Sequence, residues 1–252
     1  MPLLLALLLV VVSPGLGCCD DHPLSADDRA QLTAKLDKQI ADFTAKIEQD
    51  SKNVELYSRR GDANFFRGRF AESVADYEKM VELNDELDNS HWRRGIARFY
   101  AGKFEGAAQQ FERYHSFDDV DRENGIWRYF SQFKAYGADK AKQGLLKYKK
   151  DDREPFPSVY KLFSGEMTGV DVLKRIDDAE VKGDERKKRL FYADLYIGLN
   201  DALEGRNESA IKYLRRSTAN KWGPVAGYGP NYMWHVGRVH YDLLVEKSQK
   251  TK

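Results

Sequence analysis

Pairs of similar residues recur 34 positions apart through the first half of this 252-residue chain. Gly61 and Gly95 keep that spacing, as do Gly68 and Gly102, Phe70 and Phe104, Ala63 and Ala97, Ser73 and Ala107, and Tyr77 and Phe111. One period before Tyr77 stands Phe43, inside the amphipathic stretch LDKQIADFTAKIEQ. Chance explains six matched pairs poorly. A period of this size marks an array of supersecondary units, each too small to bury its apolar face alone. The surroundings read as helix, where a glycine costs roughly 1 kcal/mol relative to alanine. A chain that keeps two glycines seven apart in each unit, as in RRGIARFYAGKFEGAAQQFERY, needs them for close packing or for a turn.

Charge narrows the classes of partner. Forty-one basic residues against 40 acidic ones leave a formal charge of +1. Proteins that bind nucleic acid carry a basic excess to displace counterions, so nucleic acid is not an expected partner. Seven prolines and few β-branched runs favour helix.

The period and its residues resemble the tetratricopeptide repeat, two antiparallel helices and a turn. In VELYSRRGDANFFRGRFAESVADYEKMVELN, Tyr57 and Gly61 take that repeat's fourth and eighth places. Gly68, Phe70, Ser73 and Tyr77 take its fifteenth, seventeenth, twentieth and twenty-fourth. HWRRGIARFYAGKFEGAAQQFERY repeats the pattern with Gly95, Gly102, Phe104, Ala107 and Phe111. Arg60 and Arg94 replace the usual leucine before the first glycine, and Asp85 stands where a proline normally closes the repeat. The resemblance implies that small residues at the eighth and twentieth places let the two helices touch. It also implies that the second glycine ends the first helix with positive φ, and that Phe70 and Phe104 plug the corner.

The expected fold is therefore all-α, an α-α superhelix of antiparallel helix pairs with a C-terminal capping helix. Residues 26–150 hold an N-terminal helix, capped by Ser25 with Asp28, and repeats at about 54–87 and 88–121. A degenerate repeat follows at about 124–150, with Trp127 in the fourth place and Ser131 in the eighth. Residues 151–252 hold an irregular helical hairpin, VYKLFSGEMTGVDVLKRI, and a further repeat at about 191–220. There Gly198 and Gly205 are again seven apart, with Ala210 and Leu214 at the twentieth and twenty-fourth places. After ANKWGPVAGYGPN a terminal helix carries Tyr232, Val236, Val239 and Leu243 on one stripe, suited to covering the last open core edge.

The N-terminus differs in kind. MPLLLALLLVVV is an apolar run too short to span a bilayer, and SPGLGCC follows with a helix-breaking proline, so residues 1–18 read as a signal peptide. Leu16-Gly17-Cys18 resembles the lipobox of bacterial lipoproteins, which makes Cys18 the candidate lipidation site and Cys19 the alternative. Residues 19–25 would then be a tether, and the protein a lipid-anchored one facing the periplasm or the cell exterior. With both cysteines here, no disulfide framework and no thiol nucleophile is expected.

This order of a lipobox-like start, two good repeats, a worn third, a hairpin, a further repeat and a closing helix resembles the NlpI-type envelope lipoproteins. IWRYFSQ, LFSGEMTGVDVLKRI and FYADLYIGLNDALEGRNESAIKYL extend the likeness over roughly residues 50–245. It implies a non-enzymatic adaptor for envelope proteins or peptide segments, such as proteases or peptidoglycan hydrolases, and a homodimer. In the repeat family the groove lies along the first helix of each repeat. Carried over, the peptide-binding candidates are Arg59, Phe66, Trp92, Arg93, Phe99, Tyr100 and Arg128. Guanidinium beside aromatic rings suits carboxylates, backbone carbonyls and apolar side chains of an extended peptide. The competing function is a binding module for glycan or peptidoglycan fragments, with Trp92, Trp127 and Trp222 as stacking platforms.

Catalytic and metal patterns are weak. His235 and His240 point about 140° apart on a helix and would not share a metal. SFDDVDRENG lacks the glycine and closing glutamate of a calcium loop, with Asn124 and Phe130 in those places, and reads as a solvated turn. GPVAGYGP lacks the lysine and hydroxyl of a phosphate loop. Asp194 and Glu166 have no evident partner for acid–base work, and no cofactor or metal is expected.

Overall fold

A computed structural model describes residues 22–150 and 152–250. The proposed signal peptide, Cys18, Cys19 and the start of the tether lie outside the described residues. The described residues are helical with no strand, and none of their helices is long and apolar enough to cross a membrane.

The chain enters at α1 (Ala26–Gln49), capped by Ser25, whose Oγ accepts the Asp28 N–H at 3.0 Å. The capping box is incomplete, because the Asp28 carboxylate takes the Ser25 hydroxyl rather than the backbone N–H. The first pair is α2 (Val54–Phe66) with α3 (Phe70–Leu83). A single turn, α4 (Leu87–Ser90), precedes the second pair, α5 (Trp92–Tyr100) with α6 (Phe104–Phe117). Then come α7 (Arg122–Tyr136), α8 (Ala138–Gln143), α9 (Phe156–Ser164) and α10 (Gly169–Asp178). The chain closes with α11 (Gly183–Leu203), α12 (Asn207–Ala219), a 3-10 turn at Gly223–Val225 and α13 (Tyr228–Lys250). Neighbours in sequence are neighbours in space, as short turns require.

The recurring glycines do the two jobs assigned to them. A Cβ on Gly95 would lie 2.6 Å from Phe111 Cζ, and one on Gly61 would lie 2.6 Å from Tyr77 Cε1. Each glycine thus admits the aromatic ring of the paired helix against its backbone. Gly102, at φ +75°, is the left-handed residue that stops α5. Gly95→Ala is accordingly expected to destabilise by about 1–3 kcal/mol through overpacking, since Phe111 is fully buried and cannot retreat. Urea unfolding checks this, and an unchanged midpoint would mean that the ring moves freely.

Two boundaries depart from expectation. The degenerate third unit keeps α7, but its second helix shrinks to the six residues of α8 before the chain runs irregularly to α9. Gly137 at φ +91° and Gly144 bracket that short helix, and Gly144 has the Gln132 carboxamide where a Cβ would be. At the other end α11 starts at Gly183, eight residues before the expected repeat, because the charged run GDERKKR continues the helix outward.

The terminal helix does more than cover an edge. One face of α13 packs on α11 and α12: Gly237 lies against Leu195, and Trp234 Nε1 donates to the Thr218 carbonyl at 2.8 Å. The other face reaches back to the first two helix pairs. Tyr232 stacks on Phe65 at 5.2 Å, His235 stacks on Phe66 at 3.8 Å, and Tyr100 Oη lies 2.9 Å from His240 Nδ1. Arg238 donates to the Phe66 carbonyl, and His22 Nε2 meets Asp242 at 2.8 Å. Leu243 falls outside this contact and is 42% exposed.

Buried imidazoles make this packing sensitive to acid. Burial, then Arg93 and Arg94, pushes His91 down to about 3. Burial and Lys134 push His240 down to about 4, and burial, Arg238 and Lys35 push His235 well below its usual value. Stability from neutral imidazoles is fully present above the unfolded pKa of about 6.5 and is lost as pH falls through the folded values. Glu123 and Asp194 act oppositely: burial raises both to about 7, so their contribution is present below about 4 and lost as pH rises. Asp121, raised by burial, acts with these carboxyls, while Asp88, held low by its Arg94 hydrogen bond, adds to the three imidazoles in losing stability as pH falls. The urea midpoint should therefore fall between about pH 6 and 4, and a flat profile would contradict the burial of these rings.

Candidate functional site

Most of the sequence-predicted groove residues lie against the chain's own α13. Phe66 faces His235 and Tyr232, and Trp92 meets Tyr232 edge-on at 4.9 Å. Tyr100 holds His240, and Phe99 packs inward on Phe104 and Trp127. Arg93 donates to Asp62 at 2.7 Å and to Ser58 Oγ at 3.0 Å, with its guanidinium over Tyr77 and Tyr228. Arg128 donates to the Gly144 carbonyl at 2.7 Å and lies away from the others. Arg59 alone is well exposed, in an ion pair with Glu55 of its own helix. An extended peptide laid across Phe66, Trp92 and Tyr100 would have to displace α13.

Arg59, Phe66 and Arg93 still border an open cleft of about 520 Å³ with Phe43, Asp62 and Tyr228. It is a polar furrow between the first helices and the start of α13.

The three tryptophans behave differently. Trp92 from α5, Trp127 from α7 and Trp222 from the loop before α13 all border one cavity of about 390 Å³. Tyr114, Tyr192 and Met233 complete much of its wall, and Gly229 and Pro230 form part of the rim. Each ring is fixed from behind. Trp127 is 1% exposed and packs on Phe99, Phe111 and Phe130. Trp222 rests on Phe191 and Tyr192, and its backbone N–H donates to Asn220 Oδ1 at 2.9 Å. Gly223 brings this loop close, since a Cβ there would lie 2.8 Å from the Phe191 ring. The volume is in the range of small-ligand sites, which are mostly apolar with a few placed polar groups.

Those polar groups come from the acidic turn that the sequence presents as solvated, and this is a correction. Asp121 caps α7 by accepting the Glu123 N–H at 3.0 Å, which turns the Glu123 carboxylate toward α11. Tyr196 donates its hydroxyl to Glu123 Oε1, and Arg153 Nη2 reaches Oε2. The same guanidinium meets Asp152 at 3.2 Å and Asp121 at 3.6 Å, and lies over the Phe156 ring. Three carboxylates thus share one guanidinium. Burial raises Glu123 to about 7; Arg153 and the Tyr196 hydrogen bond pull it down, while Asp121 and Asp152 push it up. Burial raises Asp121 as well, against Arg153 and with Asp152. Lys188 also borders the cavity, but its Nζ is taken by Glu185 at 2.7 Å.

Nothing in the sequence singles out Arg153, Tyr192 or Met233, and Asp121 and Glu123 show there only as part of a turn read as solvated. Asp121 and Glu123 stand in a run of acids that looks like any exposed turn, and their guanidinium is thirty residues away across an irregular segment. Asp194 is buried against Arg216 at 3.1 Å, within the α11–α12 pair, while Glu166 is on the surface accepting from Ser164. No protein-family model matches this chain, and no curated protein matches it.

Proposed function

We propose that the chain is a non-enzymatic, tetratricopeptide-like binding protein of the cell envelope, held at a membrane through Cys18, that captures a small ligand such as a glycan or peptidoglycan fragment in the tryptophan cavity. The observation that supports this most is the convergence of Trp92, Trp127 and Trp222, three residues far apart in sequence, on one cavity of ligand size. Trp92 and Trp222, half-buried and held by packing, offer stacking faces with little entropy left to lose on binding, and the buried Trp127 forms the floor. The non-enzymatic reading draws on the acids: both oxygens of Glu123 and of Asp121 are already engaged within the chain.

Gly229 provides a clean test. It sits on the rim, a Cβ there meets nothing within 4 Å, and its backbone is not left-handed. Gly229→Phe should fill the mouth and leave the melting temperature unchanged, while binding of soluble peptidoglycan fragments, followed by tryptophan fluorescence, falls at least tenfold. If the variant and the native protein respond alike to every fragment, the cavity is not the binding site.

A second reading, the adaptor, is favoured by the open cleft that Arg59, Phe66 and Arg93 border. It would hold a peptide segment of an envelope protein, and a homodimer would double the number of clefts. Arg59→Glu should then remove a copurifying partner from native membranes without changing stability. An unchanged set of partners would sink this reading and leave the cavity proposal intact.

A further inference from the structure

The cavity wall has a chemical bias beyond its aromatic surface. Asp121 and Glu123 border it, Asp152 stands beside them, and a single guanidinium, Arg153, serves all three. Lys188 is the second cation on the wall, paired with a Glu185 that Arg189 shares, which leaves three carboxylates against two cations. A low-dielectric site with more carboxylates than cations gains from one further positive charge, and the rings favour a cation over their faces. A carboxylate has about four lone-pair sites, so Glu123 and Asp121 can accept from a ligand while keeping their present partners.

Resting on the cavity reading above, we propose that the ligand is a small organic cation, an ammonium group attached to a ring or alkyl body, with the body between Trp92 and Trp222 and the charge toward Asp121 and Glu123. An amino sugar and a quaternary ammonium compound share the positive charge, and only the amino sugar adds N–H donors for the carboxylates. The raised Glu123 gives the proposal a pH signature. Facing it are Asp121, which caps α7, Asp152 and Arg153, Lys188, Tyr192 and Tyr196 of α11, and Tyr114 of α6; the α13 residues on the wall, Gly229, Pro230 and Met233, do not titrate. As pH falls through about 7, Glu123 takes up a proton and the negative excess shrinks.

The test titrates the full chain with glucosamine, choline and neutral N-acetylglucosamine, reading tryptophan fluorescence. At least one cation should bind tenfold or more tightly than N-acetylglucosamine, and which one binds identifies the source. That preference should fall at least tenfold in Glu123→Gln and should weaken from pH 7.5 to 5.5. Asp121→Asn, which retains a helix-capping side chain, should give the same loss if Glu123→Gln folds poorly. Gly229→Phe should abolish the response. Equal binding of N-acetylglucosamine, or cation binding untouched by both acid variants, overturns the charge inference and leaves the cavity reading standing. A response to none of the probes, or one that persists in Gly229→Phe, overturns the charge inference and the cavity reading together.

Discussion

Tyr232→Ala is expected to lower folding stability by about 3–5 kcal/mol, the range for truncating a fully buried aromatic side chain. Tyr232 is wholly buried and touches four rings: Phe65 at 5.2 Å, Phe66 at 5.1 Å, Trp92 at 4.9 Å and Tyr228 at 6.5 Å. Three of those partners lie more than 130 residues earlier in the chain, so the loss falls on the contact that ties α13 to α2 and α5. The hydroxyl matters less. It lies 3.4 Å from the Tyr77 hydroxyl, a long hydrogen bond, so Tyr232→Phe should lose no more than about 1 kcal/mol. Urea unfolding separates the two variants, and hydrogen exchange should show α13 amides losing protection first in Tyr232→Ala. A loss within 1 kcal/mol of Tyr232→Phe would mean that α13 is docked mainly by its α12 face. Because Trp92 also borders the cavity, the alanine variant should bind ligand more weakly than its remaining folded fraction accounts for.

What could be read in the sequence and what could not differ by the range of the contacts. Gly95 against Phe111 and Gly61 against Tyr77 are sixteen residues apart, within one hairpin, so a periodic pattern encodes them. Gly102 is a local backbone requirement and shows as a lone glycine at a fixed offset. The docking of α13 on α2 leaves no such pattern, because the side that meets α2 carries Tyr232, His235 and Arg238, which no apolar period marks. Trp92 and Trp127 have places in the repeats and all three rings read as stacking platforms, but only the tertiary fold brings Trp222 to Trp92. Glu123 was hidden for a different reason. Its environment is set by Arg153, which follows an irregular segment with no periodicity to register it against α7.

Arg93→Glu and Arg59→Glu should separate sharply, although both residues sit at equivalent-looking places for a peptide groove. Arg93 is 15% exposed, donates to Asp62 at 2.7 Å and lies between the Tyr77 and Tyr228 rings. Asp62 also accepts from the hydroxyls of both tyrosines at 2.6 Å, so it cannot turn away from an incoming charge. Removing the cation from a mostly buried pair leaves its partner unpaired and typically costs about 3–5 kcal/mol. Glutamate then adds repulsion and leaves two tyrosine faces without their guanidinium. Arg59 is 61% exposed and pairs with Glu55 one turn away, which is worth roughly 0.5 kcal/mol or less. A double-mutant cycle with Asp62→Asn makes the comparison specific: Arg93→Glu should cost about 1–3 kcal/mol less in that background, whereas Arg59→Glu should not change. If Arg93→Glu proves as mild as Arg59→Glu, Arg93 is solvated and available to a peptide. If it is as harmful as the geometry requires, Arg93 belongs to the seam that closes α13 onto α2, and the cleft beside it must recruit through Arg59.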